Sequence, residues 1–195
     1  MELETIVWSN LWWERSEIKE GRLLVVGDSI CCGYAPAVRE KMKPVPVDSL
    51  GTSFSLDNPG LIAQLALYLE TMGLKYSVIH FNNGLHGFHL SAEQYKELYE
   101  KTVQYILSHA NGAKLILALS TPVTTDDPAK YDDLTNGKVL DRNKAVLEIA
   151  QKYGLEVDDL YTLVDGNVEI KAYDGYHFRK EGYDLLAEKV CEYLR

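Results

Sequence analysis

Short apolar runs that alternate with longer amphipathic stretches constrain the fold of this sequence more than any other feature. Residues 23–26 form a continuous aliphatic run that ends at Gly27, as expected for a strand buried on both faces. Four further runs have the length and composition of strands: residues 45–50, 77–81, 114–119 and 155–157. Helices fit between these runs, and strands that alternate with helices predict βαβ units around a parallel sheet.

The boundaries of several helices are marked by capping residues. Asn58 and Pro59 are suited to an N-cap and a first helical position, and Ser91 with Gln94 has the spacing of a capping box. Four helical segments are predicted, at residues 61–72, 92–109, 142–153 and 180–194. We therefore predict an α/β fold, a three-layer α/β/α sandwich with a parallel sheet of about five strands in flavodoxin-like order.

Composition limits the classes of partner. The chain has 195 residues, a size typical of one domain, and its net charge of −9 at pH 7 disfavours nucleic-acid binding. No apolar run approaches the ~20 residues that span a bilayer. We predict that residues 22–195 form the domain and that residues 1–21 are an N-terminal extension packing on it. Three tryptophans of the extension are expected to pack on the body or on a neighbouring subunit of a homo-oligomer: Trp8, Trp12 and Trp13.

The N-terminal residues and the cysteines predict the compartment. Residues 1–21 lack the basic start, apolar centre and small-residue cleavage site of a secretory signal. The three cysteines, Cys31, Cys32 and Cys191, are an odd number without the paired spacing of a zinc site. We therefore expect a reduced, cytoplasmic protein without a bound metal.

Polar residues follow the predicted strands at the edge where the carboxyl ends of a parallel sheet meet. Ser29 comes two residues after Gly27, and Asp174 and His177 precede the last helix. A serine nucleophile needs a base within hydrogen-bonding distance, and the base needs an acceptor that fixes its tautomer. Asp174 and His177, three residues apart, can supply both from one loop.

This combination resembles the SGNH hydrolases, also called GDSL-type esterases and lipases, over nearly the whole chain. The stretch Leu-Leu-Val-Val-Gly-Asp-Ser-Ile matches the first block of the family, which implies Ser29 as nucleophile. Asp-Gly-Tyr-His-Phe matches the fifth block and implies Asp174 and His177. Gly51 lies where the second block places an oxyanion-hole glycine, and Asn143 lies where the family often has asparagine.

The third block departs from the family. Its pattern is Gly-x-Asn-Asp, whereas this chain has Gly-Leu-His-Gly at residues 84–87. His86 therefore falls where the family's asparagine donates to the oxyanion, unless a shifted loop gives that role to Asn83 or Asn82. The resemblance implies an oxyanion hole made by the N–H groups of Ser29 and Gly51 with the side chain of His86 or Asn83.

What the resemblance implies is a carboxylic ester hydrolase that needs no cofactor. Short-acyl esters, acetyl esters of carbohydrates among them, are the first choice of substrate, because the chain has no long apolar lid. Residues 121–138 are polar and are expected to form a loop beside the site. The alternatives are a lysophospholipase or thioesterase of the same fold, or a non-catalytic binding module with a degenerate third block. A flavin-binding module is disfavoured because the first loop lacks a phosphate cradle.

Overall fold

A computed structural model describes residues 6–15 and 17–195. Its strands form one sheet, in chain order β1 (Ser9–Trp12), β2 (Arg22–Gly27), β3 (Val47–Thr52), β4 (Tyr76–Phe81), β5 (Lys114–Ala118) and β6 (Glu156–Asp158). Across the sheet the order is β1-β3-β2-β4-β5-β6, with β2 to β6 parallel. The predicted five parallel strands and their flavodoxin-like order are confirmed. The sixth strand, β1, pairs antiparallel with β3 and was not predicted.

Six α-helices connect or flank the described strands: α1 (Ser29–Lys41), α2 (Pro59–Ala66), α3 (Ala92–His109), α4 (Asp133–Tyr153), α5 (Leu160–Val164) and α6 (Lys180–Leu194). A π-helical turn, Leu67–Thr71, continues α2, and a 3₁₀ turn, Val168–Ile170, precedes the last loop. The capping box at Ser91 and the limits of α6 agree with the prediction.

Three helices differ from the prediction, among them the short α5, which was not predicted. α4 begins at Asp133 and not at Arg142, because the Asp132 side chain caps it by accepting from Thr135 N–H at 3.0 Å. The last third of the expected loop 121–138 is therefore helical. The sequence did not predict α1, since Gly33 and Pro36 lie within it and both are poor helix formers.

The two faces of the sheet bury separate cores, as the alternation of side chains along a strand requires. Val25 of β2 packs against α1 and α6, together with Val38 and Val190. Its neighbour Leu24 packs on the opposite face, in the core that α2, α3 and α4 cover. The three-layer arrangement is thereby confirmed, and both helical layers leave the carboxyl ends of the parallel strands open.

A buried ion pair ties the N-terminal residues to the sheet. The Arg22 guanidinium contacts the Asp48 carboxylate, with Nε donating to Oδ2 at 2.9 Å, and both side chains are fully buried. Arg22 also donates to the carbonyl oxygens of Glu14, Arg15 and Ile18. Residues 1–5 lie outside the described residues, and the division of the chain at residue 22 stays a prediction. In the part of the chain that is described, no helix is long and apolar enough to cross a membrane.

Candidate active site

Ser29 is the first residue of α1 and lies directly beyond the end of β2. The Asp28 side chain caps the helix by accepting from Ile30 N–H at 2.9 Å. Burial raises the pKa of Asp28, against the opposing effect of the nearby imidazoles of His86 and His177. Gly27 permits this tight turn, because a Cβ there would stand 2.7 Å from that of Cys31.

A chain of hydrogen bonds joins Asp174, His177 and Ser29. His177 Nδ1 lies 2.6 Å from Asp174 Oδ2, and His177 Nε2 lies 2.8 Å from Ser29 Oγ. An ionised carboxylate only accepts, so Nδ1 carries the proton and Nε2 accepts from the serine hydroxyl. The structure thus brings Ser29 into contact with His177, which is 148 residues away in the sequence, and places Asp174 on the other side of the imidazole.

Hydrogen bonds within the loop that carries Asp174 and His177 fix its conformation. Asp174 Oδ1 accepts from the backbone N–H groups of Tyr176 (3.0 Å) and His177 (2.9 Å). Partial burial by itself would raise the pKa of Asp174, but these bonds and the bond from the His177 ring outweigh it, so the pKa is lowered. Gly175 has φ +80°, and a Cβ there would stand 2.2 Å from Thr124 O. The sequence Asp-Gly-Tyr-His therefore forms this turn for steric as well as chemical reasons.

Lys171, which the sequence analysis missed, supports this loop from below. Its side chain is buried, and Nζ donates to Pro122 O at 2.7 Å and to the carbonyl oxygens of Gly175 and Tyr176 at 3.3 Å. The ammonium also lies 4.4 Å from the ring centroid of Phe178. Burial lowers the pKa of Lys171 to about 8, although the Asp174 carboxylate opposes this shift.

Arg142, also missed, holds the loop that carries His86. Its guanidinium donates to the carbonyl oxygens of Gly84 (2.8 Å), His86 (2.8 Å) and Gly87 (2.6 Å). The same group lies between the rings of Phe88 and Tyr95, 4.5 and 4.6 Å from their centroids. No spacing rule could have found this contact, because Arg142 is 58 residues from Gly84 in the sequence.

A cleft of about 370 Å³ opens beside Ser29. Its remaining lining residues are Trp8, Leu85, His86, Phe88, Tyr176 and His177. The walls are thus aromatic and aliphatic, and the polar groups are the serine hydroxyl, the tyrosine and two imidazoles. Such a cleft suits an uncharged group placed next to a nucleophile.

No family model matches the chain, and no curated protein matches it in sequence. Solved structures do match. A lipase/acylhydrolase from Enterococcus faecalis is 20% identical, with a TM-score of 0.68 over 89% of this chain and 95% of that one. The fold is that of the GDSL-type hydrolases. A GDSL-like lipase from Bacteroides thetaiotaomicron is 14% identical (TM-score 0.66; 93% and 90% covered), and so is the acetyl xylan esterase AlAXEase (0.69; 89% and 100%).

Gly51 was expected from the second GDSL-type block to supply an oxyanion-hole N–H group. In the structure this N–H does not point at Ser29. Ser53 N–H donates to Trp8 O at 3.1 Å, and bonded pairs recur at every second residue of an antiparallel ladder. Asn10 and Gly51 are the next such pair, so the Gly51 N–H points to β1. Glycine is needed here for another reason: a Cβ would stand 2.1 Å from Cys32 Sγ.

Two asparagines to which the GDSL-type pattern drew attention, Asn83 and Asn143, form hydrogen bonds with backbone groups inside the protein. Asn83 is buried, and its Nδ2 donates to Phe54 O at 2.9 Å. Asn143 ties α4 to the end of β5, with Oδ1 accepting from Ser120 N–H at 2.8 Å and Nδ2 donating to Ser120 O at 2.9 Å. Asn82, the third candidate, donates from Nδ2 to Ala118 O at 2.8 Å and to Ser120 Oγ at 3.1 Å. Of the three candidates for the side-chain donor, only His86 is among the residues that line the cleft.

Proposed function

We propose that this protein is a serine hydrolase that cleaves carboxylic esters by acyl transfer. The observation that carries the proposal is the unbroken chain of contacts from Asp174 through His177 to Ser29, at 2.6 and 2.8 Å. It ends in a cleft large enough for a small ester. The nucleophile, the base and the group that orients the base all come from this chain's own residues.

Acylation begins when Ser29 Oγ attacks the carbonyl carbon of the ester. His177 Nε2 takes the hydroxyl proton as the bond forms, and the ionised Asp174 stabilises the resulting imidazolium. The tetrahedral intermediate then collapses, and Nε2 returns the proton to the departing alcohol. The product of this half-reaction is an acyl ester of Ser29.

The oxyanion of the tetrahedral intermediate needs hydrogen-bond donors that are already in place. The N–H of Ser29 belongs to the first turn of α1, where backbone N–H groups have no acceptor within the helix. His86 is the side-chain donor in this proposal, on a loop that Arg142 holds through three carbonyl oxygens. Deacylation follows the same path, with a water molecule deprotonated by His177 in place of serine.

Short acyl groups, acetyl above all, are the proposed substrates, and carbohydrate acetates are one class that carries them. The cleft volume supports this choice, because about 370 Å³ leaves little space for a long chain beside an alcohol. The likeness of the fold to an acetyl xylan esterase supports it as well.

The direct test is labelling with a fluorophosphonate, followed by mass spectrometry of the modified peptide. We expect the label on Ser29 and hydrolysis of p-nitrophenyl acetate and of acetylated sugars. Ser29→Ala should fold normally, since the hydroxyl is replaced without loss of the backbone, and should lose both label and activity. Asp174→Asn should keep the label site but lower kcat, because the amide no longer enforces one imidazole tautomer.

The opposite result identifies a binding module. Folded wild-type protein that takes no label and hydrolyses none of these esters would overturn the proposal. Label on a residue other than Ser29, or full activity in Ser29→Ala, would overturn the assignment of the nucleophile.

A further inference from the structure

The N-terminal strand brings Trp8 to the rim of the cleft. Trp8 N–H donates to Ser53 Oγ at 2.9 Å, and Trp8 O accepts from Ser53 N–H at 3.1 Å, so the residue is fixed to the end of β3. Its half-buried indole lines the cleft with Ser29 and His86. The sequence analysis treated this tryptophan only as a packing residue.

The indole lies on one particular side of the cleft. Its ring meets the His86 imidazole edge-on, with centroids 6.1 Å apart and an interplanar angle of 74°. Its Cζ3 atom lies 3.6 Å from the point where a Cβ on Gly51 would stand. Trp8 therefore belongs to the His86 side, whereas Tyr176 is adjacent in sequence to His177 on the other side.

The direction of the reaction assigns these two sides. The leaving alcohol must lie beside His177 Nε2, because that atom returns the proton to it. The carbonyl oxygen must point at the oxyanion donors, and the acyl chain extends from the carbonyl carbon away from the alcohol. The acyl chain is the third substituent of that carbon, so it leaves on the side of the cleft away from His177 and runs along the apolar wall that Trp8, Leu85 and Phe88 form beside the oxyanion donors.

We infer that Trp8 is the specificity-determining residue that closes the acyl end of the cleft and limits the acyl chain to a few carbons. This inference rests on the proposed function. Each extra methylene that finds apolar cover is worth roughly fourfold in binding, whereas one that meets a fixed indole cannot enter. Removing the indole should convert a barrier into apolar space bounded by Leu85 and Phe88.

The test compares p-nitrophenyl acetate, butyrate and hexanoate, which share one alcohol. Wild type should prefer acetate. Trp8→Ala should raise the kcat/KM ratio of butyrate to acetate by roughly tenfold or more, as expected for two newly covered methylenes. Trp8→Phe should shift the ratio in the same direction by less, and it serves as the measurement if Trp8→Ala does not fold.

Trp12→Ala is the matched control. Trp12 is the same residue type on β1, the strand that Trp8 directly precedes, and it is half exposed. It packs on Arg39, with 4.9 Å from the guanidinium carbon to the ring centroid, outside the cleft lining. Its chain-length profile should equal that of wild type. An altered profile in Trp12→Ala would mean that the strand as a whole, and not the Trp8 side chain, sets the preference.

The outcomes separate this inference from the proposed function. An active wild type with an unchanged profile in folded Trp8→Ala overturns the inference alone. A folded Trp8→Ala variant whose kcat/KM changes by the same factor for all three esters overturns it too, because Trp8 then acts on a part of the substrate that the three esters share. A wild type that hydrolyses no ester and takes no label on Ser29 overturns both.

Discussion

By sequence position, His86 falls where the pattern of the GDSL-type hydrolases predicts an amide side chain. An imidazole N–H can donate to an oxyanion, and its ring is longer than the amide it replaces. Arg142 fixes the loop that carries this ring by donating to the carbonyl oxygens of Gly84, His86 and Gly87. The departure in the third block is thus accompanied by a support for the loop elsewhere in the fold.

His86→Ala should lower kcat by roughly 10²–10³-fold with little change in KM, the usual cost of one oxyanion donor. Steady-state kinetics on p-nitrophenyl acetate measures it. Asn83→Ala is the comparison: Phe54 O loses its donor, so we expect a lower Tm and a kcat near that of wild type. An unchanged kcat in His86→Ala, together with a large loss of kcat in folded Asn83→Ala, would identify Asn83 as the side-chain oxyanion donor.

Lys171 gives the loop of the triad a pH-dependent stability. Its pKa is about 8 in the folded chain and 10.5 in the unfolded chain, so between these values the unfolded state holds the extra proton. The free energy of unfolding should therefore rise with pH from about 8 to 10.5, and the contribution of Lys171 should be constant below 8, where both states hold the proton. Chemical denaturation of wild type and Lys171→Met at several pH values isolates the effect. Equal slopes in both proteins would contradict it.

Neither Lys171 nor Arg142 could be recognised from the sequence as a residue that supports the site. Their acceptors are backbone carbonyl oxygens, which every residue carries and no motif marks. Ser29, Asp174 and His177 could be predicted, because a serine after a first strand and Asp-x-x-His before a last helix are rare in combination. Their distances could not, since these depend on packing between α1 and the last loop.

The edge strand β1 shows what pattern alone leaves out at the scale of elements. Its four residues, Ser9–Trp12, have mixed polarity and expose most of their side chains, so no apolar run marks a strand. Backbone pairing with β3 defines it instead, and Arg22 fixes the segment that follows it through the carbonyl oxygens of Glu14, Arg15 and Ile18. By contrast, β2 to β6 and the capped helices could be predicted, because apolar runs and capping residues mark them in the local sequence.

Breaking the buried ion pair should destabilise this element and the sheet with it. Asp48→Asn keeps the shape of the side chain but leaves the fully buried Arg22 without a counter-charge, which costs about 3–5 kcal/mol. Urea unfolding measures the loss. Glu20→Gln, which removes a partner of Lys75 at the surface, is the control and should change little. A loss no larger than that of the control would show that Arg22 is held by its carbonyl contacts alone.

The charge of the whole molecule should act on substrates before they reach the cleft. A net charge of −9 repels anionic esters, whereas the described residues that line the cleft include no carboxylate, lysine or arginine. We expect kcat/KM for p-nitrophenyl hemisuccinate to be below that for the butyrate at low ionic strength and to rise with salt, because salt near 0.15 M shortens the Debye length to about 8 Å and screens the repulsion. The butyrate should not respond, because it carries no charge to be screened. A flat salt dependence for both esters would contradict this.

His177 comes 148 positions after Ser29, and this separation has a consequence for the nascent chain. At about 5–20 residues per second, ribosomes deliver the serine roughly 7 to 30 s before the histidine. During that interval Ser29 lacks the imidazole that lies 2.8 Å from it in the folded chain, so it is an ordinary hydroxyl. Under the proposed function, a nascent chain therefore cannot be acylated by an ester until its final loop has emerged and docked.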